Sequence, residues 1–175
     1  GTTFNVAFLP AGLVSRKEFN SSLTLSSSSW GSAVADIIGR PADMEVLFDT
    51  VVFNAGTNTV QTDVKVALVN SVNANVNLTV YLTEDHVVDW QLDSQSNPPD
   101  VEFYDHRHVL RGNLNGTWGT SLFTGSAAAG DTLSASFSYT LPPNVLVPAN
   151  CSLVAYVYDT DTYEVLQVRE VHMVP

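Results

Sequence analysis

The chain has 175 residues, 45% hydrophobic and 14% charged, enough for one globular core and too apolar for disorder. Seven basic against eighteen acidic residues give a net charge of −11, with lysine only at Lys17 and Lys65. That field repels nucleic acid and anionic lipid. The single cysteine, Cys151, excludes an internal disulfide, a CxxC pair and a cysteine-rich zinc site.

In chain order, "FNVAFLP" reads as a strand ending at Pro10 and "GLVSR" as a second short strand. "SSSSWGSAVADIIGRP" (26–41) predicts a helix capped by Ser29, with Ala33, Val34, Ile37 and Ile38 as its apolar stripe and Gly39 and Pro41 as its stop. Strand, strand, helix is α/β grammar, and some 40 residues cannot close such a core alone. A boundary is therefore expected near 40–43, with a partial α/β segment over 1–41 and a sandwich domain over 43–175. The first segment is expected to pack on the sandwich or to pair two copies as a homodimer through residues 1–40.

From Glu45 onward the rhythm has a period of two. Strands are predicted at Glu45–Phe53, Val64–Val69, Val76–Thr83, His86–Gln91, Glu102–Asn113, Thr132–Leu141, Leu153–Tyr158 and Tyr163–Val174. In "VNLTVYLT", Val76, Leu78, Val80 and Leu82 share one face. In "TLSASFSYTL", Leu133, Ala135, Phe137, Tyr139 and Leu141 oppose Ser and Thr. Such alternation marks sheets with one buried face. "NSVNAN" (70–75) is expected to be a hairpin loop, "DTDT" (159–162) a tight turn, and "SNPPD" (96–100) a break. The fold class implied is mainly β: an antiparallel, immunoglobulin-like β-sandwich with a short N-terminal strand–strand–helix segment.

"VEFYDHRHVLRGNLNGTWG" (101–119) holds the densest polar chemistry. On one strand, Tyr104, His106 and His108 would share a face, and Asp105, Arg107 and Arg111 the other. His106 and His108 could chelate a metal if His86 or His172 supplied a third ligand. The reading preferred is a crowded strand covered on both faces, with Asp105 paired to Arg107 or Arg111. Asp159, Asp161 and Glu164 in "DTDTYE" offer oxygens to a hard cation but lack the EF-hand glycine, so a solvated turn is the simpler account. No metal or other cofactor is expected.

GxSxG, HExxH and P-loop signatures are absent, and no pair of carboxylates is singled out for glycoside hydrolysis. No catalytic residue is assigned. Trp90 and Trp118 are the candidates for a ligand contact, since exposed aromatic rings stack on sugars and anchor protein interfaces. Packing offers the plainer account: Trp90 in the core or at an edge, Trp118 as a plug at the sandwich end. Cys151 reads as a buried small residue.

"YLTEDHVVDWQ" (81–91), "YDHRHVLRGNLNGTWG" (104–119) and "AYVYDTDTYEVLQVREVHM" (155–173) resemble the C-terminal half of the twenty-eight-kilodalton outer-membrane protein family, over about residues 46–174. The resemblance implies a sandwich preceded by a thioredoxin-like region, of which residues 4–39 are similar to the back end. It implies an exported protein of the periplasm or outer-membrane surface, lipid-anchored in its native form. The front of the thioredoxin-like region, with any CxxC, does not appear in this sequence. The function expected is a non-enzymatic, adhesion-like interaction domain docking a protein or glycan partner at the cell surface, without a transmembrane segment in this chain. Two alternatives stand beside it: a carbohydrate-binding module, and an accessory part of a thiol–disulfide protein whose redox half lies upstream.

Overall fold

A computed structural model describes residues 4, 6–8 and 10–173. Its elements are β1 (Ala11–Gly12), β2 (Leu25–Ser26), α1 (Ser27–Ile38), β3 (Met44–Asn54), β4 (Thr59–Leu68), β5 (Val72–Asn73), β6 (Val76–Glu84), β7 (Val87–Leu92), β8 (Asp100–His106), β9 (Val109–Asn113), β10 (Thr120–Phe123), β11 (Ser126–Ala127), β12 (Thr132–Thr140), β13 (Cys151–Asp159) and β14 (Val165–His172). All pairings are antiparallel. The protein is mainly β, as the alternation requires.

Two sheets make the body. One has the order β12–β4–β3. The other has the order β10–β6–β13–β14, with β9 also on β6. β10 pairs with Val76–Leu78 and β9 with Tyr81–Glu84, so the two occupy one edge of β6 in succession. Setting β3, β4 and β12 against β6, β13 and β14 is consistent with an immunoglobulin-like strand order. The inward faces interlock. Val60, Val64 and Val66 from one sheet meet Val76, Val80, Leu82, Leu153 and Val157 from the other, all fully buried. Each such side chain contributes about 1.5–3 kcal/mol of burial.

Local expectations fail where pairing across the chain decides the outcome. Asn70–Asn75 is not a hairpin loop: β4 and β6 lie in different sheets, and Val72–Asn73 pairs instead with Ser126–Ala127. Glu102–Asn113 is two strands, broken at Arg107 and His108. Near the N-terminus, the described residues of "FNVAFLP" are turn, bend or irregular and none is strand, with Asn5 and Leu9 outside the described set. The second short strand is Ala11–Gly12, not 12–16. The predicted strand end at Val174 also lies outside the described residues.

The helix begins two residues before the expected Ser29 cap. β2 ends the extended chain at Ser26, which takes the N-cap position without a side-chain capping bond. Its stripe is largely in water: Ala33 is buried, but Val34 and Ile38 are exposed. The segment packs instead through Trp30, whose indole N–H donates to the Leu25 carbonyl at 3.0 Å and whose ring leaves no room for a Cβ on Gly12.

Phe4 and residues 15–17 lie against the outer face of the five-stranded sheet of their own chain. Arg16 lies over the rings of Phe4, Trp118, Tyr156 and Tyr158 at 5.1–6.0 Å and donates to the Tyr156 hydroxyl at 3.0 Å. Lys17 pairs with Glu164, and the Val165 N–H donates to the Ser15 carbonyl at 2.8 Å. This cover explains why Tyr156 and Tyr158, on the face of β13 away from the core, are buried. No described helix is long and apolar enough to cross a membrane.

Candidate functional site

β6 and β9 pair up to Glu84↔Val109, and β7 and β8 pair from Val87↔His106. They form one long bent hairpin. Its proximal half lies in the sandwich. Its distal half, β7–β8, has no other strand beside it among the described residues. The bend occupies two residues on each side, Asp85–His86 and Arg107–His108. His86 (φ 59°) and His108 (φ 51°) both take the left-handed conformation, which non-glycine residues adopt at a cost of about 1–2 kcal/mol.

Polar contacts hold that bend. The Asp85 carboxylate accepts the His108 backbone N–H at 2.6 Å, and the Asp85 N–H donates to the Asn150 carbonyl at 3.0 Å. The His108 N–H, first, and nearby cationic groups hold the Asp85 carboxyl below the usual carboxylate range. Asp105 pairs with Arg107 at 2.9 Å and with His86 Nδ1 at 3.2 Å, and Arg107 reaches His86 Nε2 at 3.0 Å. His108 Nε2 lies 3.3 Å from Glu170.

Beneath the bend sits a buried charge pair. Glu84 is 1% exposed. It accepts Arg111 Nε at 2.7 Å, the Leu146 N–H at 3.0 Å and the Val147 N–H at 2.5 Å. Burial, then the Glu84 charge, pushes the neighbouring Cys151 thiol up to about 11.

The distal ribbon faces water. Val88, Trp90, Leu92, Phe103 and Tyr104 are exposed, Trp90 to 61%, Leu92 to 71% and Phe103 to 76%. A register irregularity sets Trp90 opposite Glu102 and Phe103. The tip is ordered by Asp93, whose carboxylate accepts the Gln95 N–H at 2.9 Å and the Ser96 hydroxyl at 2.8 Å. Both bonds hold its carboxyl below the usual range.

This arrangement corrects the covered-strand reading of 102–113. The strand is split, and its first half is mostly solvent-exposed. His106 and His108 do not share a strand face: His106 packs edge-on against Tyr104 at 4.8 Å, while His108 turns into the hinge. Among the described residues, no group of three His, Cys, Asp or Glu side chains is placed to hold a metal. The "DTDTYE" carboxylates go to separate partners: Asp159 to the Asp161 N–H, Asp161 to Asn75, and Glu164 to Lys17.

The two tryptophans part ways. Trp90 is not in the core: it lies on an edge strand, with its side chain exposed rather than packed. Trp118 belongs to the ring cluster around Arg16, 5.3 Å from Tyr163, and its carbonyl accepts the Tyr158 hydroxyl at 2.7 Å. In that cluster burial, then the hydrogen bond with Tyr156, pushes Tyr81 up to about 12. Nothing in the sequence singled out Arg16, Val88, Leu92 or Phe103 as residues of interest, and nothing local placed Glu84 in a buried pair with Arg111. Their roles depend on which strand or segment lies beside them.

Comparison with known proteins places these features in a family. The family described as outer membrane protein Omp28 matches residues 1–174. No curated protein matches. A domain of the outer membrane lipoprotein Omp28 from Porphyromonas gingivalis has a similar structure, with 24% identity and a TM-score of 0.53 over 78% of this chain and 92% of that one. HBP35 of Porphyromonas gingivalis is similar over 98% of this chain, with 12% identity and a TM-score of 0.73. The chain spans about half the length of HBP35, 55%. At these identities the two structures speak for the fold, whereas the family match spans nearly every residue: the chain belongs to the Omp28 family of outer membrane proteins.

Proposed function

We propose that this chain is an exported, non-catalytic interaction protein of the outer-membrane surface whose contact element is the β7–β8 ribbon. One observation carries the reading: a two-stranded ribbon, held at a fixed bend, exposes Val88, Trp90, Leu92 and Phe103 together. Exposed apolar clusters with tryptophan and phenylalanine at their centre are the usual mark of a binding surface. The polar groups nearby are spent on one another, in the Asp105–Arg107–His86 and Asp85–His108 contacts. That use suits a hinge clamp better than acid–base chemistry. The similar Porphyromonas gingivalis domain comes from an outer membrane lipoprotein, which supports lipid anchoring of the native protein.

A photo-crosslinking amino acid at position 103 in intact cells tests this. The expected result is an adduct with a second macromolecule from position 103 and none from exposed position 134 on the opposite sheet. No adduct from 103, or equal adducts from both, would refute the ribbon as contact surface.

A carbohydrate-binding role is the second reading, favoured by the exposure of Trp90. Glycan-array binding lost in Trp90→Ala would support it over a protein partner.

A further inference from the structure

We infer that the partner of the ribbon is a protein segment alternating basic and apolar residues, docking as an added strand along an open edge of β7–β8. This rests on the ribbon being the contact surface. Three observations select the occupant.

The first is charge. Residues 87–105 contain five acids, Asp89, Asp93, Asp100, Glu102 and Asp105, and no lysine or arginine. Asp105 is neutralised by Arg107, and Asp93 is engaged in the tip. Asp89, Asp100 and Glu102 are exposed and have no basic partner within 4 Å among the described residues. Asp100 pairs with Leu92 and Glu102 lies opposite Trp90 beside Phe103, so a partner covering Trp90 and Phe103 meets these two carboxylates, while Asp89, on the other face of β7, meets the alternate side chains of a strand added at that edge. A basic surface gains from that meeting, and an acidic one pays several kcal/mol for like-charge contact.

The second is backbone. Among the described residues β7–β8 is a sheet of two strands, so both outer edges carry N–H and C=O groups with no strand partner, of which the Trp90 N–H is held by the Asp89 carboxylate at 2.8 Å and the Leu92 carbonyl by the Gln91 amide at 2.9 Å. Proteins usually blunt such edges with lysine, proline or a covering element. Neither "VVDWQL" nor "DVEFYDH" contains lysine or proline. An extended segment satisfies these groups directly, with alternate side chains facing the apolar positions.

The third excludes a second copy. Two ribbons edge to edge would set acid near acid, Asp89 where two β7 edges meet or Asp100 and Glu102 where two β8 edges meet, on chains that each carry a net charge of −11. The same acids that invite a basic strand keep copies apart.

The test uses the whole chain and fluorescein-labelled octapeptides, one alternating Lys and Val, the other alternating Glu and Val, with binding read by anisotropy. The Lys/Val peptide is expected to bind at least roughly tenfold tighter than the Glu/Val peptide, and to weaken as salt rises. The triple variant Asp89→Asn, Asp100→Asn, Glu102→Gln is expected to lose roughly tenfold in affinity. A control triple of equal net charge, Glu18→Gln, Glu45→Gln, Asp49→Asn, is expected to lose less than roughly threefold. Trp90→Ser with Phe103→Ser should abolish binding, with the far-UV spectrum and melting curve retained as evidence of folding. No Lys/Val binding, equal binding of the two peptides, or equal losses in both triple variants would overturn the inference. If position 103 crosslinks in cells while the peptides show no charge preference, the ribbon remains the contact surface and its basic partner is refuted. If position 103 gives no crosslink, the contact surface itself falls.

Discussion

Replacing Arg16 by alanine probes how the N-terminal segment is fixed to the sandwich. The guanidinium lies 5.1 Å from the Tyr156 ring centre, 5.4 Å from Tyr158, 5.6 Å from Phe4 and 6.0 Å from Trp118. A desolvated cation–π contact stabilises by about 2 kcal/mol. The charged hydrogen bond from Nη2 to the Tyr156 hydroxyl adds about 1.5 kcal/mol. Against these stands Nη1, buried without a partner, at a cost of about 1–3 kcal/mol. The left-handed φ of 50° at Arg16 costs about 1 kcal/mol, but alanine inherits it, so it drops out of the difference. The net loss in Arg16→Ala is about 1.5 kcal/mol, or roughly tenfold in the equilibrium for lifting the segment.

Amide hydrogen exchange reads this directly. The Val165 N–H donates to the Ser15 carbonyl, so its protection reports docking, while the Val80 N–H, bonded to Asn115 Oδ1 at 3.0 Å, reports the core. Val165 should exchange roughly tenfold faster in Arg16→Ala, with Val80 unchanged. Arg16→Lys, which keeps the charge, should fall between wild type and Ala. Arg16→Met, which keeps bulk without charge, should behave like Ala. Unchanged Val165 exchange in Arg16→Ala would refute the latch, and full protection in Arg16→Met would show that shape rather than charge holds it.

Arg111→Ala leaves the Glu84 carboxylate, 1% exposed, without its cation. A loss of about 3–5 kcal/mol in chemical denaturation is expected, and a loss under about 1 kcal/mol would show the carboxylate satisfied by Leu146 and Val147 alone. Asp85 titrates below its usual value in the folded chain. Its contribution is therefore complete above about pH 4, the unfolded value, and is lost as pH falls through the lower folded value. Exchange of the His108 N–H, corrected for its intrinsic pH dependence, should lose protection only below about pH 4, and Asp85→Asn should show weakened protection already at neutral pH. Cys151, 0% exposed and with its thiol pushed up to about 11, should not react with a thiol reagent at pH 8 until the protein is unfolded; rapid labelling of the native protein would contradict its burial.

The sequence by itself determined most of the longer strands of the sandwich and, where they alternate, their inward faces. Side chains on a strand alternate strictly, so Val76, Leu78, Val80 and Leu82 had to share a face, and the buried face of β6 is that set. The turn at 159–162 was equally legible, because its Asp159 carboxylate acts on an N–H two residues away. The acid excess over 87–105 was written there too, though nothing local said it would stand in water.

Only the tertiary structure decided which faces were left without a cover. "VVDWQL" alternates like any half-buried strand, yet a bend at two left-handed histidines carries it out of the sandwich and exposes Trp90. Tyr156 and Tyr158 point away from the core, yet Arg16, some 140 residues earlier, buries them. Sheet membership of β4 and β6, and with it the failure of 70–75 as a hairpin, followed from pairing partners far along the chain. Period and turn chemistry act over a few residues. Which surface meets another is settled by contacts between distant segments, and a pattern of neighbours carries no record of them.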